Sequence, residues 1–447
     1  MCGLPDREAI GRMSSRDRGG KRARLGRSPL YRGLTVGALL TMAAAVLLPR
    51  LVSAQTDPYT TITPKSDTAD DIQFLYKIVF WLALLVFIGV QLVIVWTVMR
   101  YRRRGDSDER PVQVHGNKTL EIMWTIIPAV ILVAIFIPTV QVMFDADSGK
   151  ADGDYVVEVY GKQWWWEVHY ARPEELADVW TANDIYIPVG RSVTFNLHTA
   201  NVIHSFYVPQ LSGTMDLIPG HVNTLKVTAR EPGMYYGECK EFCGTSHAYM
   251  RFKVIAVPED QFNAYIEGWR AGPNSQAAAL TEGGDIDRAP QAIALCLSCH
   301  NIGGVTTNPS GGELPPGGAI PKGLAGGGES GVTFGPNLSM VACRTTLAAG
   351  ILPNDEEHLR DWLYYPGGVK PGNYMSNVIK EGTLTQEQID QIVAYLKTLQ
   401  PEGGCPEITG INQDDVLRLA DGVPVPAQAS EPREGAATTR SGVGYIA

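Results

Sequence analysis

Charge is what this chain has least of. Asp, Glu, Lys and Arg make up 19% of its 447 residues against 45% apolar ones, a balance that argues against one soluble domain. Basic residues are the minority even within that small set, 38 against 47 acidic, for a formal net charge of −9. No surplus of positive charge exists to hold a polyanion, and no nucleic-acid partner is expected. Cysteine is also sparse: seven in a chain of this length do not make a disulfide-built scaffold. Each one needs its own explanation.

The apolar residues are concentrated in runs. An Arg-rich stretch precedes the apolar run Leu34 to Leu48, and Val52-Ser53-Ala54 comes next as a small-residue cleavage site, so residues 1–54 read as an export signal. A retained anchor is the alternative, although about fifteen residues is short for a span. The basic region is long for a signal, which makes Met13 a candidate start. Two longer runs, about 76–99 and 120–143, each reach about 36 Å as helix, enough for a bilayer core of about 30 Å. The loop between them opens with Arg100, Arg102, Arg103 and Arg104, and basic short loops stay in the cytoplasm. Everything after Met143 is therefore expected on the outer side of a bacterial cell membrane.

Past this hairpin the pattern alternates in strand fashion at Tyr155–Tyr160, Ile185–Leu197, Ile203–Val208, Thr224–Thr228 and Met250–Val257, which predicts a Greek-key β-sandwich over 150–270. A helix-prone stretch, Pro258 to Trp269, closes it. Residues 271–286 read as a linker. An all-α domain is expected over 287–400, with a Gly/Pro-rich insertion at 301–331, and a disordered tail over 401–447.

Two short segments carry the chemistry. In CKEFCGTSHAYM, Cys239, Glu241, Cys243, His247 and Met250 fall in one loop. Thiolate, imidazole and thioether together select a soft redox metal, and two nearby thiolates can bridge two ions. The alternatives are a structural zinc site, which has no use for Met250, or a disulfide, which has none for His247. The second segment, Cys296-Leu297-Ser298-Cys299-His300, is the C-x-x-C-H attachment sequence for a c-type haem, with His300 as proximal ligand.

With His204 upstream, the first segment resembles the binuclear CuA centre of subunit II of haem-copper oxygen reductases, C-x-E-x-C-G-x-x-H-x-x-M, matched at every position. GPNL at 335–338 and KPGNYM at 370–375 resemble the haem-flanking segments of class I cytochromes c and offer Met375 as the distal ligand, with Met340 as competitor. The chain thus resembles cytochrome c oxidase subunit II with a fused cytochrome c, the caa3 type, over about 70–400. The resemblance implies a cupredoxin domain, a CuA pair on His204, Cys239, Glu241, Cys243, His247 and Met250, and one covalent haem c. It implies assembly with subunit I (haem a, haem a3, CuB) and subunit III, and a donor cytochrome c or bc1-type complex.

The same likeness assigns further positions. GKQWWWEVHY places Trp164 where the family receives electrons, as a surface ring, and leaves Trp166 to the core. LEIMWTIIP puts Glu121 at the mouth of the K proton pathway, ordinary helix capping being the alternative. Asp216 in MDLIPGH falls at the subunit I interface, and Glu241 offers its side chain to a shared Mg or Mn ion and its carbonyl to copper. His221 departs from the usual Arg. His169 and His198 lack the H-S-F frame of His204 and are expected to be structural.

Cys2 goes with the signal, leaving Cys343 and Cys405, which in an oxidising compartment are expected to pair, two free thiols being the alternative. Residues 1–54 hold ten Lys/Arg against three Asp/Glu, so their removal takes the formal charge from −9 to −16, a surface that would attract a basic donor. Rival readings are a CuA-containing nitric oxide reductase subunit and a membrane-anchored copper carrier. Against the first stands the Glu121 segment; against the second, six ligand positions fused to a haem motif.

Overall fold

A computed structural model describes residues 59–101, 116–147, 155–172, 179–271, 293–297, 299–300, 302, 335–401 and 404–405. The signal, the basic loop after Tyr101, the linker, the 301–331 insertion except Ile302, and the tail past Cys405 lie outside these residues.

Two helices come first, α1 (Asp67–Tyr101) and α2 (Lys118–Asp147). Both run past the apolar stretches expected to define them, because their ends are capped by polar residues. At α1 the Ser66 hydroxyl accepts from the Ala69 amide at 3.1 Å, and Asp67 and Asp70 favour its positive end. At α2, Asn117 Oδ1 accepts from the amides of Thr119 and Leu120. Both helices are long and apolar enough to cross a membrane, and side chains such as Trp81, Leu85, Leu132 and Phe136 are exposed all round, as suits lipid contact. The head of α1 is fastened to the β-rich domain: Ser66 Oγ donates to the Leu211 carbonyl, and Arg230 pairs with Asp67 and Asp70.

Ten strands of that domain form two five-stranded sheets. They are β1 (Tyr155–Lys162), β2 (Trp165–Arg172), β3 (Trp180–Ala182), β4 (Asp184–Pro188), β5 (Val193–Thr199), β6 (His204–Tyr207), β7 (Thr214–Leu217), β8 (Asn223–Val227), β9 (Gly233–Cys239) and β10 (Arg251–Val257). One sheet has the order β3-β2-β1-β5-β8 and the other β4-β10-β9-β6-β7. Their inner faces interdigitate through Trp166, Phe195, Phe206 and Phe252, all at most 1% exposed, a sandwich core. Ile185–Leu197, expected as one strand, is two: the chain turns at Gly190, whose φ of +76° disfavours other residues, and β4 and β5 join opposite sheets. Helix α3 (Glu259–Ala271) closes the sandwich by burying Phe262, Tyr265, Ile266 and Trp269.

The last part is helical: α4 (Ile293–Cys296), α5 (Glu356–Tyr364), α6 (Pro366–Val369) and α7 (Gln386–Thr398), with a two-residue ladder between β11 (Thr346–Leu347) and β12 (Leu352–Pro353). Ile389, Ile392, Val393 and Leu396 of α7 and Leu359 and Leu363 of α5 share one core. A capping box of Thr385 and Gln388 starts α7. Cys343 and Cys405 are joined by a disulfide, closing a loop that contains α5 to α7. The two cores exchange residues. Met340 packs into the sandwich core, and Tyr249 of the sandwich packs against the helical one.

Candidate metal and haem centre

The end of β9, the loop after it and the start of β6 bring the sulphur and nitrogen donors together. His204, Cys239 and Cys243 are buried and place their donor atoms within 4.8 Å of one another. Cys239 Sγ lies 3.8 Å from His204 Nδ1 and 3.8 Å from Cys243 Sγ, while Cys243 Sγ lies 3.6 Å from His247 Nδ1 and 3.8 Å from Met250 Sδ. The Glu241 carbonyl is 3.3 Å from Cys239 Sγ. Each imidazole thus turns Nδ1 toward a sulphur. Asn201 Oδ1, 2.9 Å from His204 Nε2, fixes the tautomer that leaves Nδ1 free to ligate. The two thiols share a proton: the Cys243 hydrogen bond, above all, holds Cys239 well below the ordinary thiol range, and the same contact pushes Cys243 up. Gly161 is required beside them, since a Cβ there would stand 2.8 Å from the His204 ring. Two sulphurs, two imidazoles, a thioether and a carbonyl fit a copper pair, with the thiolates central and the rest peripheral.

Ile203, next to His204, and Phe242, whose ring lies 5.7 Å from that of His247, are exposed, as are Ile218 and Val222 of the β7–β8 turn, and these give the domain an apolar rim. The side chains of Asp216 and Glu241 are exposed there too, and Asp216 accepts from Ser205 Oγ at 2.7 Å. His221 is exposed as well. Glu121 lies in the first turn of α2. His198 and His169 lie outside the cluster: His198 bonds Glu158 at 2.5 Å, and His169 stacks on Trp180 at 4.1 Å.

In the helical region Cys296, Cys299, His300 and Met375 line one apolar cavity with Leu338, Val341, Leu359, Leu363 and Ile379. His300 Nδ1 donates to the Pro336 carbonyl at 2.8 Å, which leaves Nε2 as the free ligand atom. Burial pushes His300 below its ordinary value, against the pull of that carbonyl. A Cβ at Gly335 would stand 2.5 Å from the His300 ring, so the residue opening GPNL is a glycine for close packing. Met340 is absent from this cavity and is 1% exposed in the sandwich core. Two thiols, one oriented imidazole and one thioether around apolar walls fit a c-type haem.

The same cavity is walled on one side by Gln163, Trp164 and Trp165 of the sandwich. Trp164 is therefore not the surface ring expected from sequence: it is 9% exposed, because the 370–375 loop returns over it. Its Nε1–H donates to the Cys243 carbonyl at 3.0 Å, and Gln163 Nε2 donates to the same oxygen at 2.7 Å. Asn201, Gln163, Gly161 and Tyr249 were not singled out by sequence reasoning. Only their closeness to His204, Trp164 and Met250 in the chain could have marked them.

A helix hairpin joined to a cupredoxin-like sandwich with a soft-metal loop defines a membrane-anchored redox protein. The family model of the cytochrome c oxidase subunit II transmembrane domain matches residues 63–142, and that of the subunit II periplasmic domain matches 173–257. Cytochrome c oxidase subunit 2 of Alkalihalophilus pseudofirmus is 34% identical over 349 residues, covering 76% of this chain and 91% of that one. Its counterpart in Bacillus subtilis is 30% identical over 378 residues, covering 80% and 96%. The crystal structure of the periplasmic domain of subunit II of cytochrome oxidase from Bradyrhizobium japonicum matches at 27% identity, with a TM-score of 0.24, over 26% of this chain and 93% of that one. The chain belongs to the cytochrome c oxidase subunit II family. Membership implies the family's CuA copper, a periplasmic domain on a membrane anchor, and assembly with an oxidase core.

Proposed function

We propose that the chain is subunit II of a caa3-type cytochrome c oxidase, relaying electrons through its own haem c and then CuA to haem a of subunit I. Cys296 and Cys299 would hold the haem covalently, with His300 and Met375 offering the nitrogen and sulphur for its iron. His204, Cys239, Cys243, His247, Met250 and the Glu241 carbonyl would hold the copper pair. When bound, these groups supply one-electron redox chemistry, while oxygen reduction and proton pumping belong to subunit I. Trp164 lies between the two ligand sets. Its indole N–H fixes the Cys243 carbonyl, and its ring excludes water from the gap.

The observation that carries this reading is the single cavity wall. Cys296, Cys299, His300 and Met375 face the same space as Trp164, which is bonded directly to the backbone of a copper-ligand cysteine. The apolar rim with Asp216 and the Glu241 carboxylate suits a contact with subunit I and a shared Mg or Mn ion. Glu121 at a membrane helix terminus suits proton uptake on the cytoplasmic side. The donor is a cytochrome c or a bc1-type complex, subunit III completes the core, and the location is a bacterial inner membrane.

The test is spectroscopic. The purified full-length chain, loaded with copper and haem, should show one covalently bound haem and an electron paramagnetic resonance signal shared over two copper nuclei. A mononuclear copper signal, or zinc retained in preference to copper, overturns the relay.

A further inference from the structure

Lys370 is a cation for which the relay gives no role. It is 3% exposed and reaches from the loop preceding Met375 into the sandwich. Its ammonium donates to three backbone carbonyls, Trp164 at 2.5 Å, Tyr249 at 2.8 Å and Ala348 at 2.9 Å. An ammonium has three donors and no acceptor, so this cup saturates it without a carboxylate. Two of the carbonyls belong to the sandwich and one to the helical region.

The choice of carbonyls matters. Trp164 is bonded through its indole to the Cys243 carbonyl, and Tyr249 sits between His247 and Met250 in the copper loop. The Lys370 backbone is itself fixed: its N–H donates to Pro366 at 2.9 Å, and its carbonyl accepts from Asn373 Nδ2 at 2.5 Å. Ser246 Oγ donates to the Pro371 carbonyl beside it. Gly372, at φ +76°, lets the loop pass over the indole, where a Cβ would stand 3.2 Å from Trp164 Cη2. One side chain therefore ties the tryptophan turn, the copper loop and the Met375 loop to a common point. A buried cation is costly unless it is fully bonded, and its removal would leave three carbonyls in a dry interface without donors.

We propose that Lys370 is the positioning residue for internal electron transfer, the clamp that holds the haem-bearing domain on the copper domain with Trp164 between them. The proposal rests on the relay reading above. The step it serves moves one electron from ferrous haem, which becomes ferric, to the oxidised copper pair, and no bond is made or broken.

The test uses the assembled oxidase with Lys370→Met, which keeps length and apolar bulk but removes all three donors, and Lys370→Arg, which keeps charge with a different donor geometry. In Lys370→Met, haem-to-copper transfer after flash reduction should fall by at least about tenfold, the factor that loss of even one of its three charge-assisted hydrogen bonds would give in a docking equilibrium. The slowed step should become dependent on solvent viscosity, as a gated motion does. Amide exchange in peptides covering 161–166 and 245–250 should quicken, with the mixed-valence copper signal and the thioether-to-iron band unchanged. Lys370→Arg should fall between. A Lys370→Met rate within about twofold of wild type and indifferent to viscosity overturns the clamp. Loss of either spectroscopic signature in both variants also overturns it, by assigning Lys370 to local folding. Failure of the relay itself would show in the wild-type protein, as a missing haem or copper signal.

Discussion

Trp164 makes two kinds of contact that substitution can separate. Trp164→Phe keeps an aromatic ring against Gly372 but loses the 3.0 Å bond to the Cys243 carbonyl, while Gln163 still holds that oxygen. Haem-to-copper transfer should slow with the copper spectrum intact, and a wild-type rate in flash reduction would return Trp164 to a packing role. The two methionines can be told apart as sharply. Met340→Ala empties a site in the sandwich core and should cost about 2–5 kcal/mol of stability, read by denaturant titration, with the thioether-to-iron band retained. Met375→Ala should abolish that band, with haem still attached through Cys296 and Cys299. Gly161→Ala would drive a methyl into the His204 ring. Copper stoichiometry should fall while haem content stays constant.

At the scale of elements, the disulfide and the cap of α5 make separable claims. Cys343→Ser opens a loop of sequence separation 62 and should cost about 2–4 kcal/mol, visible as a lower Tm for the helical region. Asp355 caps α5 and accepts from the His358 amide and ring. Burial raises its carboxyl, but these bonds outweigh burial and hold it below the ordinary range. A depressed folded pKa means that this contribution is complete above the unfolded value and is lost as pH falls through the folded one. Asp355→Asn should therefore flatten the acid limb of stability against pH. Such features differ in how legible they are. The membrane helices are readable because runs of apolar residues leave no other fold; only their polar ends escape the sequence. β2 escapes it because Trp165 and Trp166 are both buried aromatics, Trp166 in the sandwich core and Trp165 against Ala349 of the helical region, which hides the alternation. The copper ligands other than His204 share a short loop and are readable together. The burial of Trp164 is not, since the loop that covers it lies some two hundred residues away.

For the whole molecule, the docked arrangement fixes a kinetic order. On the proposed relay, with Trp164 covered, the copper ligands would receive electrons from a domain of the same chain, at an effective concentration that bulk donor cannot alter. Haem reduction should rise linearly with donor concentration, and the subsequent copper reduction should stay constant. A linear rise in the second step would mean that the donor reaches copper directly. The six described cysteines carry a further consequence, concerning how the chain is matured. Cys343 and Cys405 must be oxidised to close their loop, whereas Cys239 and Cys243 must stay reduced to meet a metal and, on the proposed relay, Cys296 and Cys299 to meet a haem vinyl group. The Cys239 and Cys243 sulphurs stand only 3.8 Å apart, so an oxidant that joins the first pair threatens the second. Maturation of one polypeptide thus requires an oxidising and a reducing hand in the same compartment, and a timetable between them.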